Sequence, residues 1–216
     1  MILTTHLSEV HNEDCMIGMA RYPDKWFDLA IVDPPYGIGA GSVNFKNGTS
    51  KNDIGYKVKD WDTAIPDQKY FDELMRVSKN QIIWGGNYFG NLWPCRGYLI
   101  WDKGTGENSY ADCELAWSSI DGVSKIYSKS WVGANAKDTD GRYHPTQKPV
   151  ALYDWIYKNY LPQGGKVIDT HLGSGSNRIA ANKAGNIDFV GFELDKDYYE
   201  AQEKRWKGFI AQTRLF

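Results

Sequence analysis

Cysteine is scarce in this chain: Cys15, Cys95 and Cys113 are the only three among 216 residues, and they stand far apart. An odd, scattered set offers neither a disulfide framework nor a zinc site, and it fits a reducing, cytoplasmic setting. No apolar run approaches the length that spans a bilayer, so no membrane is expected as a partner. The opening stretch MILTTHLSEVHNED has no basic start followed by a long apolar segment, so no secretory leader is expected. Net charge is also small, -2 with a pI near 6.1, which gives no global basic footprint for nucleic acid and leaves room only for a local basic face. Internal repeats and low-complexity segments are absent.

What is present is ordinary in amount, with 42% hydrophobic and 24% charged residues, the composition of a soluble globular domain. The length points to one domain over residues 1–216. Apolar strand-like runs alternate with amphipathic stretches, which predicts an α/β layered fold. A first strand is expected to end at Asp14, and others are expected at Asp28–Asp33, Gln81–Gly86, Tyr98–Asp102, Cys113–Ser119, Lys166–Asp169 and Phe189–Asp195. The Tyr98 and Cys113 runs suit an antiparallel pair. Helices are expected at Asp67–Lys79, Val150–Leu161 and Ser176–Ala184, with a final one from Tyr198. Ile38–Asp60 and Ser119–Tyr143 read as loops.

Three short stretches carry chemistry. Asp33-Pro34-Pro35-Tyr36 ends a buried strand. Two prolines stop a hydrogen-bond ladder and fix φ, so any acceptor carbonyl there stays aimed. As a strand terminator alone the motif would be unremarked; the other two stretches give the carboxylate something to work beside. In VIDTHLGSGSNRIAA a strand runs into Gly173-Ser174-Gly175 and then a helix, a turn that lets backbone approach a ligand closely. A dinucleotide fingerprint calls for a third glycine at position 178, where Arg178 stands, which lowers a hydride-transfer reading. Glu193 closes the next strand, the place from which an acid reaches ribose hydroxyls. Turn and acid together favour an adenosyl ligand without a pyrophosphate. The third stretch, HPTQKP at His144–Pro149, precedes this unit.

In this order the three motifs resemble the amino-methylating DNA methyltransferases of the permuted β class, over most of the chain from Glu13 onward. The resemblance implies a Rossmann-like, three-layer sandwich whose mixed, mostly parallel sheet carries one antiparallel strand pair. It implies S-adenosyl-L-methionine as cofactor, no metal, and DNA with a flipped base as partner, with a homodimer as one arrangement. Asp33, Pro34, Pro35 and Tyr36 match the catalytic motif. Asp169, Thr170, Leu172, Gly173, Ser174, Gly175 and Ser176 match the cofactor turn, with Asp33 beside it and Glu193 as the ribose acid. Thr146, Gln147 and Lys148 match the segment placed beside the methionine carboxylate, and Asp14 matches a position facing adenine. Where the family has Asp-Pro-Phe, this chain has Asp169-Thr170-His171, and His171 is expected to fill the Phe site rather than act as a base.

The implied reaction is methyl transfer to an exocyclic amine, with the Asp33 carboxylate and Pro34 carbonyl accepting its N–H groups and Tyr36 stacking on a flipped base. Asp at position 33 tilts the target toward adenine N6. Cytosine N4, RNA, a protein amide and a degenerate non-catalytic DNA binder remain alternatives. Residues 119–143 would be a short target-recognition insert, shorter than the family's usual one. Lys46, Lys51, Lys57 and Lys59 in the first loop and Lys125, Lys129 and Arg142 in the second are candidates for phosphate, Trp61 and Trp131 for bases.

Overall fold

The computed structural model describes residues 6–42, 59–105, 111–129 and 143–213. Among them lie eight strands: β1 (Ser8–His11), β2 (Phe27–Val32), β3 (Ser78–Trp84), β4 (Tyr98–Asp102), β5 (Cys113–Ser118), β6 (Lys125–Ser128), β7 (Gly165–Asp169) and β8 (Ile187–Phe192). Five α-helices accompany them: α1 (Cys15–Met19), α2 (Gln68–Val77), α3 (Val150–Tyr160), α4 (Ser176–Ala184) and α5 (Lys196–Thr213). The strands form one sheet in the order β1-β8-β7-β2-β3-β5-β4-β6. Only β5 runs against its neighbours, pairing antiparallel with both β3 and β4.

The central strands are apolar on both faces because both faces are covered. Along β2, Leu29 and Ile31 point into a core with Leu152, Ile156, Ile179 and Ala180 of α3 and α4. The alternate residues Ala30 and Val32 point into a second core with Phe71, Leu74 and Val77 of α2 and Met19 of α1. This is the period-two alternation of a strand between two helical layers, and it makes the three-layer sandwich. Helix α2 opens on an Asp67 cap whose side chain accepts the Tyr70 N–H.

The topology places the site. Strand β2 leads through α2 to β3 on one side, while its other neighbour, β7, leads through α4 to β8 on the opposite side. The chain therefore diverges between β2 and β7, and in open α/β sheets ligands bind outside the carboxyl ends at such a point. Leu29 pairs with Val167 and Ala30 with Ile168, so Asp33 and the Gly173 turn emerge side by side although far apart in sequence.

Two elements differ from the sequence reading. Lys125–Ser128, within a stretch expected to be a loop, forms edge strand β6 parallel to β4. It escapes periodicity because an exposed edge strand of four residues, Lys-Ile-Tyr-Ser, buries almost nothing. Helix α1 was also missed, being only five residues long.

At the end of β3, Gly85 adopts φ +74°, and a Cβ there would lie 2.2 Å from the Tyr36 ring. The left-handed conformation alone costs about 1–2 kcal/mol for a residue with a Cβ. Gly85→Ala is therefore expected to lower stability by at least about that amount and to displace Tyr36. Gly90→Ala, with open space around its Cβ, serves as the control. Equal urea midpoints for the two variants would contradict this packing.

Candidate active site

Asp33 follows β2 and is held from two sides. Its Oδ1 accepts the Tyr36 hydroxyl at 2.5 Å, and its Oδ2 accepts the Lys148 ammonium. The Asp33 side chain keeps 20% of its surface open, whereas Lys148 keeps 3%. Lys148 also lies 3.0 Å from Glu114 Oε2 on β5 and 3.3 Å from the Tyr36 hydroxyl. Glu114 in turn pairs with Lys103, 2.6 Å from its Oε1. Burial pushes the Asp33 carboxyl above the ordinary carboxylate range, outweighing the pull of Lys148. Burial works against the Lys148 ammonium too, but Asp33 and Glu114 outweigh it and hold its pKa above the usual lysine value.

The backbone after the prolines is fixed by Asp62, which is 2% exposed. Its Oδ1 accepts the N–H groups of Tyr36 at 2.6 Å and Gly37 at 2.9 Å, and its Oδ2 accepts that of Ala40 at 2.8 Å. The Tyr36 ring stacks on Tyr88 at 5.0 Å between centroids and meets Phe89 edge-on. Tyr88 is 42% exposed, so the aromatic surface beside Asp33 opens to solvent on one side.

The second half of the site is the turn after β7. Gly175, at φ +73°, caps α4. Glu193, just past β8, accepts the Gly173 N–H at 2.8 Å on Oε2 and the Asp195 N–H at 2.9 Å on Oε1. Burial raises the Glu193 carboxyl, and those two N–H groups oppose the shift. Arg205 of α5 donates to Ser174 O and Ser176 Oγ, both at 2.9 Å, and so pins the turn from below. Asp169 accepts from Asn177 at 2.9 Å and from the His171 N–H at 3.1 Å. Burial lifts its carboxyl to about 7. Asn177 also reaches Ile31 O at 3.3 Å, tying the end of β7 to the end of β2.

The HPTQKP segment packs against this turn. A Cβ on Gly173 would lie 3.6 Å from the His144 ring, and His144 meets Tyr198 of α5 edge-on at 4.2 Å. Thr146 donates its N–H to His144 Nδ1 at 3.3 Å, and Gln147 Oε1 accepts the Tyr143 N–H at 2.8 Å. The buried Gln147 side chain thus shapes its own loop, while Lys148 reaches toward Asp33. Asp14 caps α1 through the Met16 N–H at 2.8 Å.

The structure therefore gathers Asp33, Pro34, Pro35, Tyr36 and Lys148 at one mouth and Asp169 through Ser176 with Glu193 beside it. Glu114, Asp62, Asn177 and Arg205 complete the arrangement and were not singled out from sequence. Glu114 and Asn177 lie inside a strand and a helix whose apolar pattern drew the attention. Asp62 and Arg205 look like ordinary solvated charges until the fold encloses them.

Among the expected DNA contacts, Lys125 is exposed on β6 and Lys129 follows it, half-buried. Lys46, Lys51, Lys57, Trp131 and Arg142 lie outside the described residues. The Lys59 ammonium is engaged by Asp195 at 2.5 Å and Asp197 at 3.0 Å. Trp61, expected at a base, tilts against the His144 ring at 5.4 Å.

A sheet whose order diverges at a glycine-rich turn, with an acid-Pro-Pro-aromatic mouth next to it, defines the Rossmann-like methyltransferase architecture. Residues 85–204 match the family described as DNA methylase, N6_N4_Mtase, and the chain belongs to that family. It is 27% identical over 207 residues to the inferred methylase YubD of Escherichia coli (strain K12), covering 89% of this chain and 87% of that protein. The fold is similar to that of the M1.HpyAVI complex with SAM, with TM-score 0.56, 17% identity, and 92% and 98% of the two chains covered. It is likewise similar to PvuII DNA methyltransferase, a cytosine-N4-specific enzyme, with TM-score 0.59, 12% identity, and 93% and 87% covered.

His171 lies in the turn between the two halves, with Nδ1 2.9 Å from Thr170 Oγ1 and its ring edge-on to Tyr70. Burial pushes its pKa down to about 4. A histidine so depressed binds a proton more readily when unfolded, so its share of stability falls as pH drops from about 6.5 to 4, by about 1.4 kcal/mol per pH unit. His171→Phe is expected to remove that acid-side loss while leaving the pH 7.5 stability within about 1 kcal/mol. Urea unfolding at pH 7.5 and 5.0 checks it; an unchanged difference between the two pH values in the variant would contradict a buried neutral imidazole.

Proposed function

We propose that this DNA methylase transfers a methyl group from S-adenosylmethionine to the N6 amine of an adenine taken out of the duplex. The observation that carries the reading is the position of Asp33: a carboxylate at the open mouth of β2, beside the Gly173 turn and Glu193. The turn fits an adenosyl group. Gly173 has no side chain between its backbone and the His144 ring, where a Cβ would lie 3.6 Å away, and each Glu193 oxygen, already accepting one backbone N–H, has a further lone pair for a hydroxyl donor. Asp169 and Asp14 supply further acceptors along the same edge.

When bound, the cofactor supplies an electrophilic methyl carbon on a sulfonium, so the chain need provide no covalent catalysis. An adenine amine is a weak nucleophile because its lone pair delocalises into the ring. Asp33 and the Pro34 carbonyl accept the amine N–H groups and draw the lone pair out of conjugation toward the methyl donor. Pro34 and Pro35 keep both acceptors ordered before the base arrives. Lys148 and the Tyr36 hydroxyl fix which way the Asp33 carboxylate faces. Tyr36, with Tyr88 and Phe89, forms the aromatic surface on which an unstacked base rests, as base-modifying enzymes require. After transfer the surplus amine proton leaves to Asp33 or to water.

Adenine is favoured over cytosine N4 by the Asp at position 33, on the family resemblance. Incubating the purified protein with radiolabelled S-adenosylmethionine and mixed-sequence duplex DNA, then separating the nucleosides, decides this. Label is expected in N6-methyladenine, with Asp33→Ala at least about 100-fold slower, the scale of losing a directed transition-state contact. Label in N4-methylcytosine would overturn the choice of base. An Asp33→Ala variant at the wild-type rate would overturn the mechanism.

A further inference from the structure

Glu114 is a charged group of the site to which the transfer itself assigns nothing. It stands on β5, paired across the sheet with Trp101, and its Oε2 is buried. That oxygen lies 3.0 Å from Lys148 Nζ without an aligned hydrogen bond, while Oε1 holds Lys103 at 2.6 Å. Lys148 therefore sits between two carboxylates, over the ring of the fully buried Trp84 at 5.3 Å. Four charges, two of each sign, run in a row from the open mouth at Asp33 to Lys103.

We propose that Glu114 is a positioning residue for the Asp33 acceptor: by sharing the Lys148 ammonium, it prevents Asp33 from being consumed in a full ion pair. The inference rests on the methyl-transfer reading only for its use; the charge arrangement itself stands apart from it. An ammonium has three donors. As an amine N–H arrives at Asp33, Lys148 can turn one donor onto Glu114 Oε2, so neither buried charge is stranded. A lone Lys148–Asp33 pair would have no such alternative, and breaking it would leave an uncompensated buried charge.

The directions of titration agree. Glu114 is pulled below the usual carboxylate range, because Lys148 and Lys103 together outweigh the effect of burial. Asp33 goes the other way, raised by burial, with the Glu114 charge opposing Lys148. The other titratable groups around Asp33 are Tyr36 on its own loop, Tyr153 of α3, Tyr70 of α2 and Asp169 at the end of β7. The three tyrosines are held well above their usual values by burial and stay neutral. Asp169 is the only one of these that titrates near neutrality.

The test is a carbon-13 carboxyl titration of the full chain without cofactor, with the Asp33 signal assigned by its loss in Asp33→Asn. In Glu114→Gln the Asp33 midpoint is expected to fall by about one pH unit, the scale of removing a like charge at this range. In Lys148→Met it is expected to rise by at least as much, and in Lys103→Met to rise by less. If Lys148→Met does not fold, the other two variants carry the test. The acidic limb of the kcat profile for DNA methylation should move with the midpoint in Glu114→Gln, with KM for S-adenosylmethionine unchanged. An Asp33 midpoint that stays put or rises in Glu114→Gln overturns the proposal. A wild-type protein that shows the expected midpoints yet methylates no DNA would support this proposal and defeat the functional reading. An active wild type with an unmoved Glu114→Gln midpoint would do the reverse.

Discussion

The contact between the Lys148 ammonium and the Asp33 carboxylate is the interaction on which the rest of the site depends. Lys148 is almost wholly enclosed, and a buried ammonium without partners would shed its proton or unfold its surroundings. Asp33 from β2, Glu114 from β5 and Lys148 from the segment before α3 must therefore be brought together as the sheet forms. Removing one partner of such a group typically costs about 3–5 kcal/mol, because the other charge is left uncompensated. The Asp33 carboxylate is thereby oriented by contacts within the fold.

Around that contact the remaining buried polar groups act as struts. Asp62 gathers three backbone N–H groups behind Tyr36. Asn177 bridges the ends of β7 and β2, and Arg205 supports the turn at Ser174 and Ser176. Each satisfies groups that burial would otherwise leave unpaired, and each fixes one edge of the crevice at the divergence of β2 and β7. Arg178, at the place where a dinucleotide turn would need glycine, instead pairs with Glu203 and stacks over Trp206. The residue that departs from the dinucleotide fingerprint thus locks α4 to α5.

Much of the fold was legible because its central strands are short apolar runs bounded by turn residues. β4 and α4 fall on the expected residues, and the antiparallel pairing of β4 with β5 follows from the loop between them. The exposed edge strand β6 and the single-turn helix α1 were not legible, since neither carries a periodic apolar face. Asp33, the glycine turn and Glu193 were legible as candidates because methyl-transfer chemistry asks for particular residue types at fixed spacing. Glu114 and Asp62 could not, because a carboxylate among apolar or loop residues acquires its meaning only from partners far away in sequence.

The central claim is that the Asp33 carboxylate receives the amine of a flipped base at the mouth of β2. A structure of the protein with a non-reactive analogue of S-adenosylmethionine and a duplex it methylates tests this directly. The account predicts the target adenine outside the stack against Tyr36, with its N6 within about 3 Å of both an Asp33 carboxylate oxygen and the Pro34 carbonyl, and with Lys148 drawn toward Glu114. A target base bound with its amine away from Asp33, or an Asp33–Lys148 pair closed against the base, would contradict it.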